Sequence, residues 1–171
     1  MSTQAGGMLI DDFSSRISAL GTSWRLVSDR VMGGVSEGTM ARNAIAGRSA
    51  LCLRGAVSLE NNGGFLQLAL DLHPSGLLDA TTYEGIELMV RGNGEQYSLH
   101  LKTGDIRLPW QSYRQRFETT SDWRFLRLPF ADFEAHRIDK SLDTSRLRRL
   151  GLVAIGRPMA VDLCVAELRF Y

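Results

Sequence analysis

The stretch that decides the fold is FLQLALDL, residues 65–72. Its even positions, Leu66, Leu68, Leu70 and Leu72, are apolar, while Gln67 and Asp71 fall between them. Such alternation sends successive side chains to opposite sides of an extended chain, one side to a core and the other to water. The pattern repeats downstream. Ile86, Leu88 and Val90 alternate with Glu87 and Arg91, and Tyr97, Leu99 and Leu101 alternate with Ser98, His100 and Lys102. Leu150–Ile155 and Val161–Val165 are apolar on both faces, which predicts central strands. Further strands are expected at Trp24–Val27, Ala50–Val57, Tyr113–Thr119 and Trp123–Leu128.

Between these runs stand turn formers: Gly33-Gly34, Asn61-Asn62-Gly63-Gly64, Gly92-Asn93-Gly94 and Gly156-Arg157-Pro158. Glycine and asparagine tolerate the positive φ angles of tight connections. Helical material is scarce. Asp11–Leu20, Ser75–Thr82, Pro129–Arg137 and Asp143–Arg148 have room for a turn or two each. Many short strands with few helices predict an all-β protein, a single-domain β-sandwich over residues 1–171 with residues 1–8 as a flexible tail.

The totals exclude several classes. With 20 basic and 19 acidic residues the formal charge is +1, so nothing pulls the whole molecule toward nucleic acid or an anionic membrane. Apolar runs are too short to span a bilayer, and direct membrane insertion is not expected. The first residues lack the basic flank and apolar stretch of a signal peptide, so a cytoplasmic location is expected. Cys52 and Cys164 each sit in an apolar run, and with that location they are expected to be reduced and buried. Trp24 and Trp123 are expected in the core.

Catalytic signatures fail. Gly34-x-Ser36-x-Gly38 has the spacing of a nucleophile elbow, but no helical stripe follows Ser36. A triad would also need an acid and then a histidine downstream, for which Asp132 and His136 are the least poor pair. Gly92-x-Gly94 lacks a third glycine, so no dinucleotide fingerprint forms. Three scattered histidines and two distant cysteines do not compose a zinc site. His100 belongs to a polar, solvent-facing strand side, and His73, before Pro74, to a turn. Asp11, Asp12 and Glu167 are the carboxylates that would serve a calcium ion, though no spacing rule supports one. No enzyme, metal or cofactor is expected.

The stretch Asp29-Arg30-Val31-Met32-Gly33-Gly34-Val35-Ser36 admits two readings. In one it is a corner, with Asp29 accepting backbone N–H bonds from Gly33–Ser36. In the other those N–H groups form an anion-binding nest with Met32 as an exposed apolar contact.

These residues also carry a resemblance. Trp24, the Asp29–Ser36 block, Leu59-Glu60-Asn61-Asn62-Gly63-Gly64-Phe65, Gly85–Gly94 with Tyr97, and Trp123 with Leu128-Pro129-Phe130-x-Asp132-Phe133 resemble, in order, the complex I intermediate-associated protein 30 family. The similarity runs from about Asp11 to Tyr171. It implies a galactose-binding-like jelly roll and a role as an assembly factor or chaperone for respiratory complex I, without a catalytic mechanism. Two departures stand out: the family's Gly-Asp-Gly reads Gly92-Asn93-Gly94, and its Gly-Pro-Phe is replaced around Arg157-Pro158-Met159-Ala160. The expected partner is a protein, with complex I subunits or intermediates as the candidates, held by loops at a sandwich edge.

The residues expected at such a site are Asp29, Met32, Gly33, Gly34, Ser36, Asn62 and Arg91; the polar ones among them would otherwise brace neighbouring loops. The alternative is a carbohydrate-binding module on the same fold, with Trp110 and Tyr113 stacking on sugar rings. Arg107, Arg114, Arg116 and Arg124 form a basic stretch, read as a solvated strand face with no nucleic acid.

Overall fold

Leu66, Leu68 and Leu70 do point into a core, each fully buried, and they do so from one of 12 strands. In this computed structural model, which describes residues 7–171 and all of their side chains except that of Asn62, the strands run as follows. They are β1 (Met8–Asp11), β2 (Arg25–Ser28), β3 (Glu37–Ile45), β4 (Arg48–Val57), β5 (Phe65–Asp71) and β6 (Gly85–Gly92). There follow β7 (Gln96–Thr103), β8 (Ser112–Glu118), β9 (Arg124–Pro129), β10 (Glu134–His136), β11 (Leu147–Ile155) and β12 (Met159–Phe170). Residues 1–6 of the expected tail lie outside the described residues, and Met8 already belongs to β1.

Two six-stranded sheets face each other, all pairs antiparallel. The first has the order β3-β4-β12-β6-β9, with β1 also on β12. The second has the order β10-β8-β7-β11-β5-β2. The predicted central strands are central: β12 lies between β4 and β6, and β11 between β7 and β5. Between the sheets pack Leu51, Leu53, Leu68, Leu88, Tyr97, Leu99, Leu152, Leu163 and Phe170. Each fully buried leucine of this kind contributes roughly 1.5–3 kcal/mol. Trp24 is in this core, and its indole N–H donates to Asp11 at 2.8 Å.

Several expectations change. Helical turns do not form over Asp11–Leu20 or Ser75–Thr82; the ordered 3-10 turns are Asp29–Met32, Glu60–Asn62, Phe130–Asp132 and Thr144–Arg146. In the first segment the side chains compete with a helix, since Asp11 accepts from the N–H of Phe13 and Asp12 from that of Ser14. The cysteines are also different from expectation: Cys52 and Cys164 form a disulfide. They stand directly opposite each other in the β4–β12 register, with Cα atoms 4.1 Å apart. Together with Ala50 they form a small second cluster on the outer side of the first sheet, covered by Ile45 and Trp123. Trp123 is thus half-buried outside the main core, its indole N–H donating to the Ile45 carbonyl at 3.1 Å.

Candidate functional site

The Asp29 block builds a junction between loops. Ser28 caps the 3-10 turn Asp29–Met32, and Gly33 ends it with φ 88°, a left-handed conformation suited to glycine. The turn carries Asp29 beneath two loops, where it is fully buried. One carboxylate oxygen accepts from the Ser36 N–H at 3.0 Å. The other accepts from the Ser36 hydroxyl, the Gly64 N–H and the Phe65 N–H. A Cβ on Gly34 or Gly63 would come within 2.5 Å of this carboxylate, so both glycines are needed for the approach. Burial pushes the Asp29 carboxyl up, but the Ser36, Gly64 and Phe65 bonds outweigh it and hold the group below its ordinary value of 3.8.

Ser36 is buried as well, and its Oγ accepts from the Ser58 N–H at 2.8 Å while donating to Asp29. No imidazole takes part. Its proton is committed to a carboxylate inside a sandwich corner, the opposite of an exposed nucleophile. The corner reading of the motif is therefore the observed one, extended by the Gly63-Gly64-Phe65 block. Two apolar side chains of the junction do reach solvent: Val31 is 76% and Met32 59% exposed. Leu59, on the other bonded loop, is exposed too. Beside them an open cleft of about 660 Å³ is lined by Leu26, Arg30, Glu37, Thr39 and Arg54.

Of the other expected site residues, Arg91, Trp110 and Tyr113 are not joined to this junction. Arg91, on β6, stacks its guanidinium over the Trp123 ring at 5.9 Å. The Asn62 backbone is in the 3-10 turn Glu60–Asn62, and its side chain lies outside the described ones. Tyr113 is buried, with its hydroxyl donating to the Lys140 carbonyl at 2.9 Å, so its ring is not available for stacking. Trp110 is exposed on a loop held by Gln111, which accepts from the N–H groups of Arg107 and Leu108 and donates to the Arg137 carbonyl. Asn93, where the family pattern has aspartate, uses both ends of its amide: it donates to the Ala160 carbonyl and accepts from the Tyr97 hydroxyl. A carboxylate could not make the first bond.

Among the carboxylates considered for calcium, Asp11 and Asp12 are bonded to their own loop and to Trp24, and Glu167 faces Arg169. Among the described residues no three metal-binding side chains converge. The basic stretch is divided, with Arg114 and Arg116 on β8 and Arg124 on β9, in different sheets. His73 is a turn residue, accepting from the Ser75 N–H.

A second concavity was not legible in the sequence. On the outer side of the second sheet, Glu134, Arg114, His100 and Gly151 stand opposite one another across β10, β8, β7 and β11. Arg116, Ser98 and Val153 form the next row. Of these, Glu134, Arg114, His100, Arg116, Ser98 and Val153 line a cleft of about 750 Å³ that also includes His136 and Arg157. His100 was expected in solvent and is instead buried, its Nε2 without a hydrogen-bond partner. Burial, then the neighbouring Arg114, Lys102 and His136, push its pKa down to about 3, so the ring is neutral at pH 7. The signal that could have found this cleft is the matching alternation of Ser98, His100 and Lys102 with Arg114 and Arg116, once β7 and β8 are paired.

The comparison with known proteins follows this geometry. The model of the family described as complex I intermediate-associated protein 30 matches residues 12–165. The chain belongs to that family. No curated protein matches it in sequence. Among solved structures, the family 11 carbohydrate-binding module of the cellulosomal cellulase Lic26A-Cel5E of Clostridium thermocellum superposes with a TM-score of 0.76 at 12% identity, over 98% of this chain and 95% of that one. The same organism's family 11 module in complex with a β-1,3-1,4-mixed-linked tetrasaccharide gives 0.73 at 11%, over 96% and 94%. A family 30 carbohydrate-binding module gives 0.70 at 14%, over 98% and 88%. At these identities the likeness is one of fold, the jelly-roll sandwich. Among the described residues of this complex I intermediate-associated protein 30 family member, no helix is long and apolar enough to cross a membrane.

Proposed function

We propose that this chain is a non-catalytic binding protein that attaches to an assembly intermediate or subunit of respiratory complex I through the loops joined at Asp29. Family membership supports a complex I partner. The observation that carries the reading is the junction itself. A carboxylate with every bond satisfied by the chain fixes two loops, and those loops hold Val31, Met32 and Leu59 out in water. Exposed apolar side chains on a rigid support lose little entropy on docking, which favours protein recognition. Ser36, the residue most like a nucleophile, is consumed in the support.

The test replaces Met32 and Val31 with aspartate together. The expected outcome is an unchanged melting temperature with at least a roughly tenfold loss of complex I subunits co-purifying with the tagged protein, as for a small cluster of hot-spot contacts. Equal recovery from wild type and variant contradicts the reading.

The carbohydrate alternative draws on the shared fold alone. Pyranose rings are gripped by exposed aromatic faces, and the exposed aromatic side chains among the described residues, Trp110 and Phe125, do not line the large cleft. Binding on a glycan array that Trp110→Ala abolishes would establish that alternative in place of the protein partner.

A further inference from the structure

The cleft on the outer side of the second sheet is separate from the Asp29 junction and has a chemistry of its own. Its floor includes one cross-strand row, in which Arg114 lies between Glu134 on β10 and His100 on β7; Gly151 on β11 continues the register beyond it. Side chains directly opposite in antiparallel strands share a face and lie within reach of each other. Arg114 is half-buried, yet among the described residues its guanidinium forms no ion pair, not even with Glu134; its Nε donates to the Ser112 hydroxyl at 2.8 Å. Lys102, also half-buried, donates to the Pro109 carbonyl and has no carboxylate partner among the described residues. His100 is buried with an unpartnered Nε2. Gly151 leaves the neighbouring position without a side chain of its own, and the Gln67 carboxamide oxygen lies over it.

Several half-exposed charged side chains nearby are matched. Asp71, on the same face, is bonded to both Arg25 and Arg149, and Glu95 to Arg157. The Arg114–His100 pair is the contrast. Arginine presents a planar fork of N–H donors that suits a carboxylate, and a buried ring nitrogen without a partner carries the cost of lost hydration until a ligand meets it.

We propose that this cleft binds an acidic peptide segment, with a side-chain carboxylate seated on the Arg114 guanidinium beside the His100 ring. Val153 and Ile155 supply an apolar floor for the peptide's aliphatic atoms. Arg116, beside Arg114 on β8, attracts the following acidic residue.

The surrounding charges agree with an anionic guest. Burial is the leading cause that disfavours the charged form of Lys102, with Arg149 and Arg114 adding to it. Burial likewise leads for Arg114, with Arg116 and Arg137 adding. His136 on β10 is pushed down by burial and then by Arg114 and Arg137. The acidic groups on this rim are Glu134 and Asp132. A bound carboxylate relieves the crowding of positive charge that these groups share.

The experiment titrates the full chain with hexaglutamate, hexaglutamine and oligogalacturonate while the imidazole signals of His100 are followed by NMR. Expected is saturable hexaglutamate binding that weakens with salt, no hexaglutamine binding, and a His100 pKa that rises from about 3. An opposite charge at contact raises it by about 1 to 3 in pH. Arg114→Gln is expected to weaken hexaglutamate binding at least roughly tenfold, the order seen for a charge-assisted contact. Arg116→Gln, on the exposed rim, gives a smaller loss and serves if the first variant does not fold. Absence of hexaglutamate binding at low salt, binding that neither variant weakens, or binding of oligogalacturonate without hexaglutamate overturns the proposal. None of these readouts involves Val31, Met32 or complex I, so this proposal and the preceding one fail separately.

Discussion

The Asp29 junction and the His100 cleft each bury a polar side chain, and they treat it in opposite ways. Asp29 receives bonds from Ser36, Gly64 and Phe65, so its charge is paid for within the chain. His100 sits among Arg114, Lys102 and His136 with a ring nitrogen that meets nothing. A satisfied buried group specifies architecture; an unsatisfied one marks a place where structure alone gives no return. The family's most recognisable motif is therefore scaffold, and the less recognisable sheet face holds the open chemistry.

The largest effect that tests this contrast is expected from Asp29→Ala. Removing the carboxylate strands several buried N–H donors, each costing about 1–3 kcal/mol, for a total near 4 kcal/mol in urea denaturation. A loss under about 1 kcal/mol would break the comparison. Next comes the disulfide. Closing a loop of 112 residues, it is expected to contribute about 2–4 kcal/mol, read as the drop in urea midpoint on reduction. Thiol counting on protein alkylated at lysis also bears on location, because a cytoplasm reduces such bonds and an oxidising compartment keeps them. The smallest effect is expected from His100→Gln. It removes no hydrogen bond, so the loss should not exceed the roughly 1 kcal/mol typical of a single substitution. A large loss there would show that His100 is structural after all.

The sequence disclosed the sheets because core strands alternate: Leu66, Leu68 and Leu70 in β5 and Tyr97, Leu99 and Leu101 in β7 are all buried. It hid β3 as a defined strand because Glu37–Ile45 lies at a sheet edge, with most side chains exposed and no alternation to read. The Asp29 corner was legible in part, since a short-range bond from Asp29 to the following turn follows from the local sequence. Its second half was not, because Gly64 lies 35 residues away and meets Asp29 through the tertiary fold alone. Register concealed the other two features. Cys52 faces Cys164, and His100 faces Arg114, only once strands are paired, and period-two patterning gives the face of a side chain without naming its cross-strand neighbour.

The most direct test of the scaffold role is the pH dependence of stability in wild type and Asp29→Asn. Because its pKa is lower folded than unfolded, ionised Asp29 stabilises the fold above about pH 4, and this advantage fades as pH falls through the depressed native value. Wild type should thus be more stable than Asp29→Asn near pH 7, by at least about 1.5 kcal/mol for a charged hydrogen-bond acceptor. The gap should narrow steadily below about pH 4. A gap that is absent at neutral pH, or that stays constant down into acid, would contradict the assignment of Asp29 as the ionised centre of the junction.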